Sequence, residues 1–83
     1  MKVLYFAWLR QHIGQSEEDL TPPETVSTAG ALMEWLAEQS PGHAAAFAEK
    51  ETVRIAIDQE FAEPDAAIAG AREVAFFPPV TGG

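Results

Sequence analysis

Thr28-Ala29-Gly30-Ala31-Leu32-Met33-Glu34-Trp35-Leu36-Ala37-Glu38-Gln39 is the stretch on which the reading of the fold turns. Ala29, Leu32, Met33 and Leu36 recur at the i, i+3, i+4, i+7 spacing that lines one face of a helix. Ser27 or Thr28 can accept a hydrogen bond from a free N–H of the first turn and so cap it. Gly30 costs such a helix roughly 1 kcal/mol relative to alanine, so the apolar stripe must find a surface to pack on. Trp35 falls beside Leu32 and Leu36 at the margin of that stripe and reads as packing.

The segments on either side supply the surface, because both carry the two-residue period of strands. Toward the N-terminus, Lys2 to Leu9 reads as one strand with both faces apolar. Val3, Tyr5, Ala7 and Leu9 share one side, and Leu4, Phe6 and Trp8 share the other, which ends at Arg10. A strand of this kind sits centrally, with each face covered. Gly14 marks a turn. The acidic run Glu17-Glu18-Asp19 then leads into Leu20 and Thr21-Pro22-Pro23, whose prolines cannot donate ladder hydrogen bonds, so a second strand here is short and lies at an edge.

Toward the C-terminus, Ser40-Pro41 stops the helix and starts a second short one through Ala44 to Glu49, with proline in its first turn. From Thr52 the period returns to two, with Val53, Ile55 and Ile57 facing one way and Arg54 and Ala56 the other. Asp58-Gln59-Glu60 is a turn, Phe61 begins a very short strand, and Pro64 ends it. Asp65 to Gly70 is a linking loop. Glu73 to Phe77 is the final strand, with Val74 and Phe76 opposite Ala75 and Phe77. Pro78-Pro79 forbids further pairing and sends the chain away from the sheet. The order strand, weak strand, helix, strand, weak strand, strand predicts an α+β fold: a small mixed sheet with one main helix packed across it, of the ubiquitin-like or β-grasp kind. Residues 1–77 form the domain and 78–83 an extended, flexible tail.

Composition narrows the function. The 83 residues suffice for one small core, and 47% hydrophobic with 22% charged residues describes a folded chain. The net charge of −8 opposes binding to nucleic acid or to anionic membranes and favours a basic partner. No cysteine is present, so no thiolate can serve as nucleophile or metal ligand. His12 and His43 have no spaced partner that would mark a metal site, and both read as surface residues. Glu17-Glu18-Asp19 and Glu49-Lys50-Glu51 read as solvated charge runs. No stretch is long enough to span a bilayer, and Val3 to Leu9 lacks the cleavage site of a signal peptide, so a cytoplasmic location is expected. The chain carries no catalytic equipment of its own.

Glu73-Val74-Ala75-Phe76-Phe77-Pro78-Pro79-Val80-Thr81-Gly82-Gly83 is similar to the C-terminus of the molybdopterin synthase small subunits, ubiquitin-like sulfur carriers of the ThiS/MoaD type. Phe6-Ala7-x-x-Arg10-x-x-x-Gly14 resembles the same family. The chain departs from the family pattern in the turn Gly70-Ala71-Arg72-Glu73 and in having Asp58 where asparagine is common. The resemblance implies that Gly83 is adenylated with ATP by a ubiquitin-activating-like adenylyltransferase and converted to a thiocarboxylate. It implies that the sulfur then passes to a cyclic pterin monophosphate held by the large synthase subunit, in molybdenum cofactor biosynthesis. The chain itself would hold no cofactor. Sulfur donation to thiamine thiazole or another acceptor, conjugation to lysines as a protein modifier, and a plain interaction module with an inert tail are the alternatives.

The residue types suit that chemistry. An ionised carboxylate is a poor electrophile and must be activated before sulfur can replace oxygen. Gly82 and Gly83 have no side chains, so a narrow channel can admit the backbone, while Pro78 and Pro79 make a stiff stem that limits the entropy lost on insertion. Pro78 to Gly83 is therefore the segment expected to enter partners. At an average glycine usage of about 7%, a terminal pair arises by chance in about one chain in 200, so the preceding Phe77-Pro78-Pro79-Val80-Thr81 carries the specificity. Phe6, Arg10, Phe61 and Phe77 are expected to form an apolar docking surface with a basic edge on the sheet face away from the helix, where Trp8 also falls.

Overall fold

Residues 1–79 are described by the computed structural model. Strands β1 (Lys2–Tyr5), β2 (Glu17–Asp19), β3 (Arg54–Ile57), β4 (Glu60–Ala62) and β5 (Glu73–Phe77) form one sheet in the order β2-β1-β5-β3-β4. The strand at the centre is the last in sequence. It runs parallel to β1, and every other neighbouring pair is antiparallel. Helices α1 (Trp8–Ile13), α2 (Ala29–Ala37) and α3 (Pro41–Ala46) complete the fold, with a single 3-10 turn at Lys50–Thr52. This is the ubiquitin-like β-grasp, a mixed sheet with helices packed across it.

α2 starts where its capping chemistry directs. The Thr28 hydroxyl accepts the Ala31 N–H at 3.1 Å, while the Ala29 and Gly30 N–H groups donate to the carbonyls of Ala66 and Pro64. The free donors of the first turn are thus consumed by the loop before β5. Gly30 is explained by that contact, since a Cβ there would lie 3.1 Å from the Pro64 carbonyl oxygen. Leu32 and Leu36 are wholly buried against Val3, Tyr5, Val74 and Phe76 of the sheet, and Trp35 packs half-buried at the edge of the same cluster. α3 begins at Pro41 after the Ser40 cap, and Phe47 beyond it meets Phe76 edge-on, ring centroids 5.2 Å apart.

The first strand is shorter than its alternation suggests. β1 stops at Tyr5; Ala7 adopts φ 54°, and α1 follows. Leu9 is buried, but from a helix, and Trp8 lies half-buried on α1 with its ring 6.4 Å from that of His12. Gly14 is the left-handed cap of α1, at φ 87°, with its N–H on the Arg10 carbonyl at 2.7 Å. The Leu9 to Ile13 spacing followed by glycine is the helical signal that the continuing alternation conceals.

α1 and α3 pack so closely that Gly42 lies against the backbone of His12, and a Cβ would collide with the His12 carbonyl oxygen. Replacing glycine by alanine inside a helix normally gains up to about 1 kcal/mol. Gly42→Ala is expected to do the opposite and lose about 1–3 kcal/mol through overpacking. Urea unfolding decides it, and an increase in stability would rule out this contact.

The acidic run is neither a loop nor wholly solvated. Glu17–Asp19 is β2 itself, an edge strand whose outward charges discourage pairing with other chains. Glu18 turns inward opposite Val3, with its side chain 16% exposed. Its Oε2 accepts the Tyr5 hydroxyl at 2.6 Å and His43 Nε2–H at 2.7 Å. His43, expected at the surface, is therefore a buried residue, and its Nδ1 lies 2.7 Å from the Ser40 hydroxyl. His12 is exposed as expected. Burial raises the Glu18 carboxyl, but hydrogen bonds from His43 and Tyr5, the charge of His43 and a bond from Gln15 outweigh it, so its pKa lies below the ordinary value. Burial first, and Glu18 second, hold the Tyr5 phenol far above its own.

Candidate functional site

Directly paired residues of neighbouring strands project to the same face of a sheet. The register therefore places Glu17, Leu4, Ala75, Ala56 and Phe61 in one row that crosses all five strands. The alternate residues Val3, Tyr5, Val74, Phe76 and Ile55 are the ones buried beneath the helices. The row thus lies on the opposite, open face. One step along β5 toward the stem, Phe77 pairs with Arg54.

Phe6 is 46% and Phe61 86% exposed, large values for aromatic side chains on so small a domain. The ring of Phe61 lies 5.9 Å from that of Phe77, which is half-buried. Phe77 borders two depressions. The first, of about 420 Å³, is lined by Leu4, Phe6, Ala56, Gln59, Glu73, Ala75 and Phe77. The second, of about 800 Å³, includes Arg54, Phe61 and Lys50. Pro78 and Pro79 follow Phe77 without further strand pairing. Val80, Thr81, Gly82 and Gly83, where the reacting carboxylate is expected, lie outside the described residues.

Phe6, Phe61 and Phe77 are therefore brought to one face. Arg10 is not part of that strand surface, because β1 ends before it and it is an exposed residue of α1. The same correction applies to Trp8. The residue facing outward beside Phe77 is Arg54, visible in the sequence as the outward position between Val53 and Ile55. Among the described residues no three His, Asp or Glu side chains gather as a metal site would require, and no helix is long and apolar enough to cross a membrane.

The turn Asp58-Gln59 holds the far end of this face. Both residues have positive φ, 49° and 70°, as a two-residue hairpin turn demands. Asp58 Oδ1 accepts the N–H groups of Arg72 and Glu73 at 2.9 and 3.0 Å. The β3–β4 hairpin is thereby tied to the start of the strand that leads to the stem.

A sequence model of the ThiS family matches residues 3–83, nearly the entire chain. The chain belongs to the ThiS family. It is 39% identical to the molybdopterin synthase sulfur carrier subunit of Haemophilus influenzae over 87 aligned positions, covering all of this chain and 99% of that one. With the protein of the same name from Escherichia coli K12 it shares 36% over 83 positions, again covering 100% and 99%. Among solved structures, a putative molybdopterin converting factor, subunit 1, from Pyrococcus furiosus superposes with a TM-score of 0.71 at 28% identity, over 95% of each chain. In this ThiS-family chain the sheet centre, the open face and the stem thus belong to a fold shared along its full length with sulfur carriers.

Proposed function

We propose that this chain is the sulfur carrier subunit of molybdopterin synthase, working in the cytoplasm, with the carboxylate of Gly83 as its reacting group. The observation that carries the reading is the end-to-end match to two carriers of that name, joined to a chain that leaves the central strand through two prolines and ends in Gly82-Gly83.

The carboxylate must first gain a leaving group, since its ordinary pKa of about 3.5 leaves it ionised and unreactive at neutral pH. A ubiquitin-activating-like adenylyltransferase supplies ATP. A Gly83 oxygen attacks the α-phosphorus, pyrophosphate departs, and an acyl adenylate results. A sulfur donor then attacks the carbonyl carbon and AMP leaves. Where that donor is a partner's persulfide, a thiol of the partner then attacks the donor's own sulfur in the acyl disulfide, forming a disulfide there and freeing a thiocarboxylate on Gly83, whose sulfur is nucleophilic toward the cyclic pterin monophosphate. Because a dithiolene holds two sulfurs and each tail brings one, two charged carriers serve each product, in keeping with a heterotetramer of two small and two large subunits.

The residues present fit a carrier rather than a catalyst. The tail, Pro78 to Gly83, enters the active sites of partners, while the open face with Phe6, Phe61 and Phe77 docks on them. Arg10, from α1, contributes a basic group at the margin.

Intact-mass analysis after incubation with ATP, the adenylyltransferase and a sulfur donor is the test. The expected result is an oxygen-to-sulfur mass gain that depends on ATP and maps to Gly83. An unchanged mass, or conjugates to lysine in place of the thiocarboxylate, would reject the proposal.

A further inference from the structure

On the helical side of the sheet, α1 and α3 border a groove of about 250 Å³ lined by Trp8, His12, Ala45, Ala46, Ala48 and Glu49. It belongs to a different surface from the open face, since Leu9 of α1 and Ala46 of α3 are wholly buried in the core that the helices cover. Its position along the sheet follows from the topology. β1 ends at Tyr5 beside Phe76, and α1 follows directly, while Phe47, just beyond α3, packs its ring on Phe76. The groove therefore lies at the end of the sheet from which the stem departs.

Its chemistry suits a flat cation. The rings of Trp8 and His12 cross at 73° with centroids 6.4 Å apart, so the imidazole meets the indole edge to face and does not stack upon it. A guanidinium is drawn to the face of a tryptophan by the ring quadrupole, and a neighbouring carboxylate matches its fork of N–H donors. Glu49 supplies the carboxylate. Among the described residues it forms no ion pair, and Lys50, the cation next to it in sequence, is held by Glu34 at 3.1 Å. The three alanines leave the space between Trp8 and Glu49 for a side chain from elsewhere, and the charge of −8 on the chain favours a basic one. The backbone is strained at the residue that aims Trp8. Ala7 has φ 54° and ψ −128°, a conformation that glycine tolerates and a Cβ disfavours, and strain of this kind gathers at functional sites.

The geometry points to a docking site for the protein that delivers the sulfur, with an arginine side chain of that protein lying between Trp8 and Glu49. The inference rests on the proposed function, in which the adenylyltransferase holds the open face and the tail when the acyl adenylate forms. The donor must reach Gly83 while that face is occupied. It therefore needs another surface, close to the stem and suited to a basic residue, and the groove between α1 and α3 meets these conditions.

Intact-mass measurement of sulfur charging by the full chain, with ATP and the adenylyltransferase of the same organism, tests the contact. Two sulfur sources are compared: the organism's cysteine desulfurase, loaded as its persulfide by cysteine, and inorganic sulfide, which needs no docking. With the desulfurase, Glu49→Gln is expected to raise the KM for the donor about fivefold at low salt, with kcat unchanged and the difference lost at high salt. Ala45→Leu, which fills the groove from an exposed helical position, should raise it about tenfold. With sulfide, both variants should charge at the parental rate. N-acetyl-arginine amide should inhibit charging by the desulfurase, and its citrulline analogue, of the same shape but uncharged, should not. A parental KM for both variants, slower charging from both sources, or equal effects of the two amides would overturn the inference. If Ala45→Leu fails to fold, Glu49→Gln decides. A parent chain charged by sulfide but not by the desulfurase overturns the inference while leaving the carrier reading intact; one charged by neither overturns both.

Discussion

Deletion of Gly83 is expected to abolish molybdopterin formation while leaving the domain folded. The reacting group would then be the carboxylate of Gly82, set back by one residue, about 3.5 Å of extended chain. A displacement of about 1 Å already costs about 100-fold when a reacting group must meet its partner in one geometry, so the loss should exceed that factor. Stability should not change, because every helix, strand and core residue among the described residues lies at or before Phe77. The decisive measurement pairs a synthase assay, with purified large subunit and precursor, with a thermal melt of the same variant. Normal product formation by the shortened chain would reject Gly83 as the working group. Loss of product together with a lowered melting point would mean that the tail supports the fold.

The second large effect lies far from the tail. His43→Leu removes the donor that faces Glu18 and leaves a mostly buried carboxylate with only Tyr5 and, more weakly, Gln15. Leaving a mostly buried carboxylate without one of its hydrogen-bond donors costs about 1.5–3 kcal/mol. For a domain of this size a loss of 3 kcal/mol lowers the melting temperature by about 15 °C. Glu18→Gln should cost less, about 1–2 kcal/mol, because an amide still accepts one bond. A stability for His43→Leu within about 0.5 kcal/mol of the parent would remove the network from the account of the core. The pH dependence follows from the lowered Glu18 pKa. Its folded value lies below the ordinary 4.5, so its contribution is fully present above that value and is lost as the pH falls through the folded value. Urea unfolding should therefore show the gap between parent and Glu18→Gln closing as the pH falls below 4.5.

Much of this was legible beforehand, and the exceptions have physical causes. α2, α3 and β5 announce themselves through an apolar stripe, a serine-proline start and a strict alternation ended by two prolines. The outward positions of Phe6, Phe61 and Phe77 follow from alternation alone. The alternation overextends β1 because α1, six residues, is too short to display a helical period, and Ala7 is not a residue type that marks a break. β2 had no apolar signal, since an edge strand can be held by its backbone ladder and one inward glutamate. His43 reads as a surface residue because Glu18, its partner, lies 25 positions away and only the folded chain brings them together.

The central position of β5 has a further consequence. In most sheets the latest-made strand can be added at an edge, and a chain broken before it keeps a usable core. Here a chain broken before residue 73 lacks the strand that joins the two halves of the sheet, so β1 and β3 have nothing between them. Such a fragment has no stable sheet to offer a partner. The strand that closes the domain is also the one that bears the stem, so a molecule with a complete sheet has been made at least as far as Phe77. Topology thus makes the completeness of the sheet a record of how far along the chain synthesis has gone.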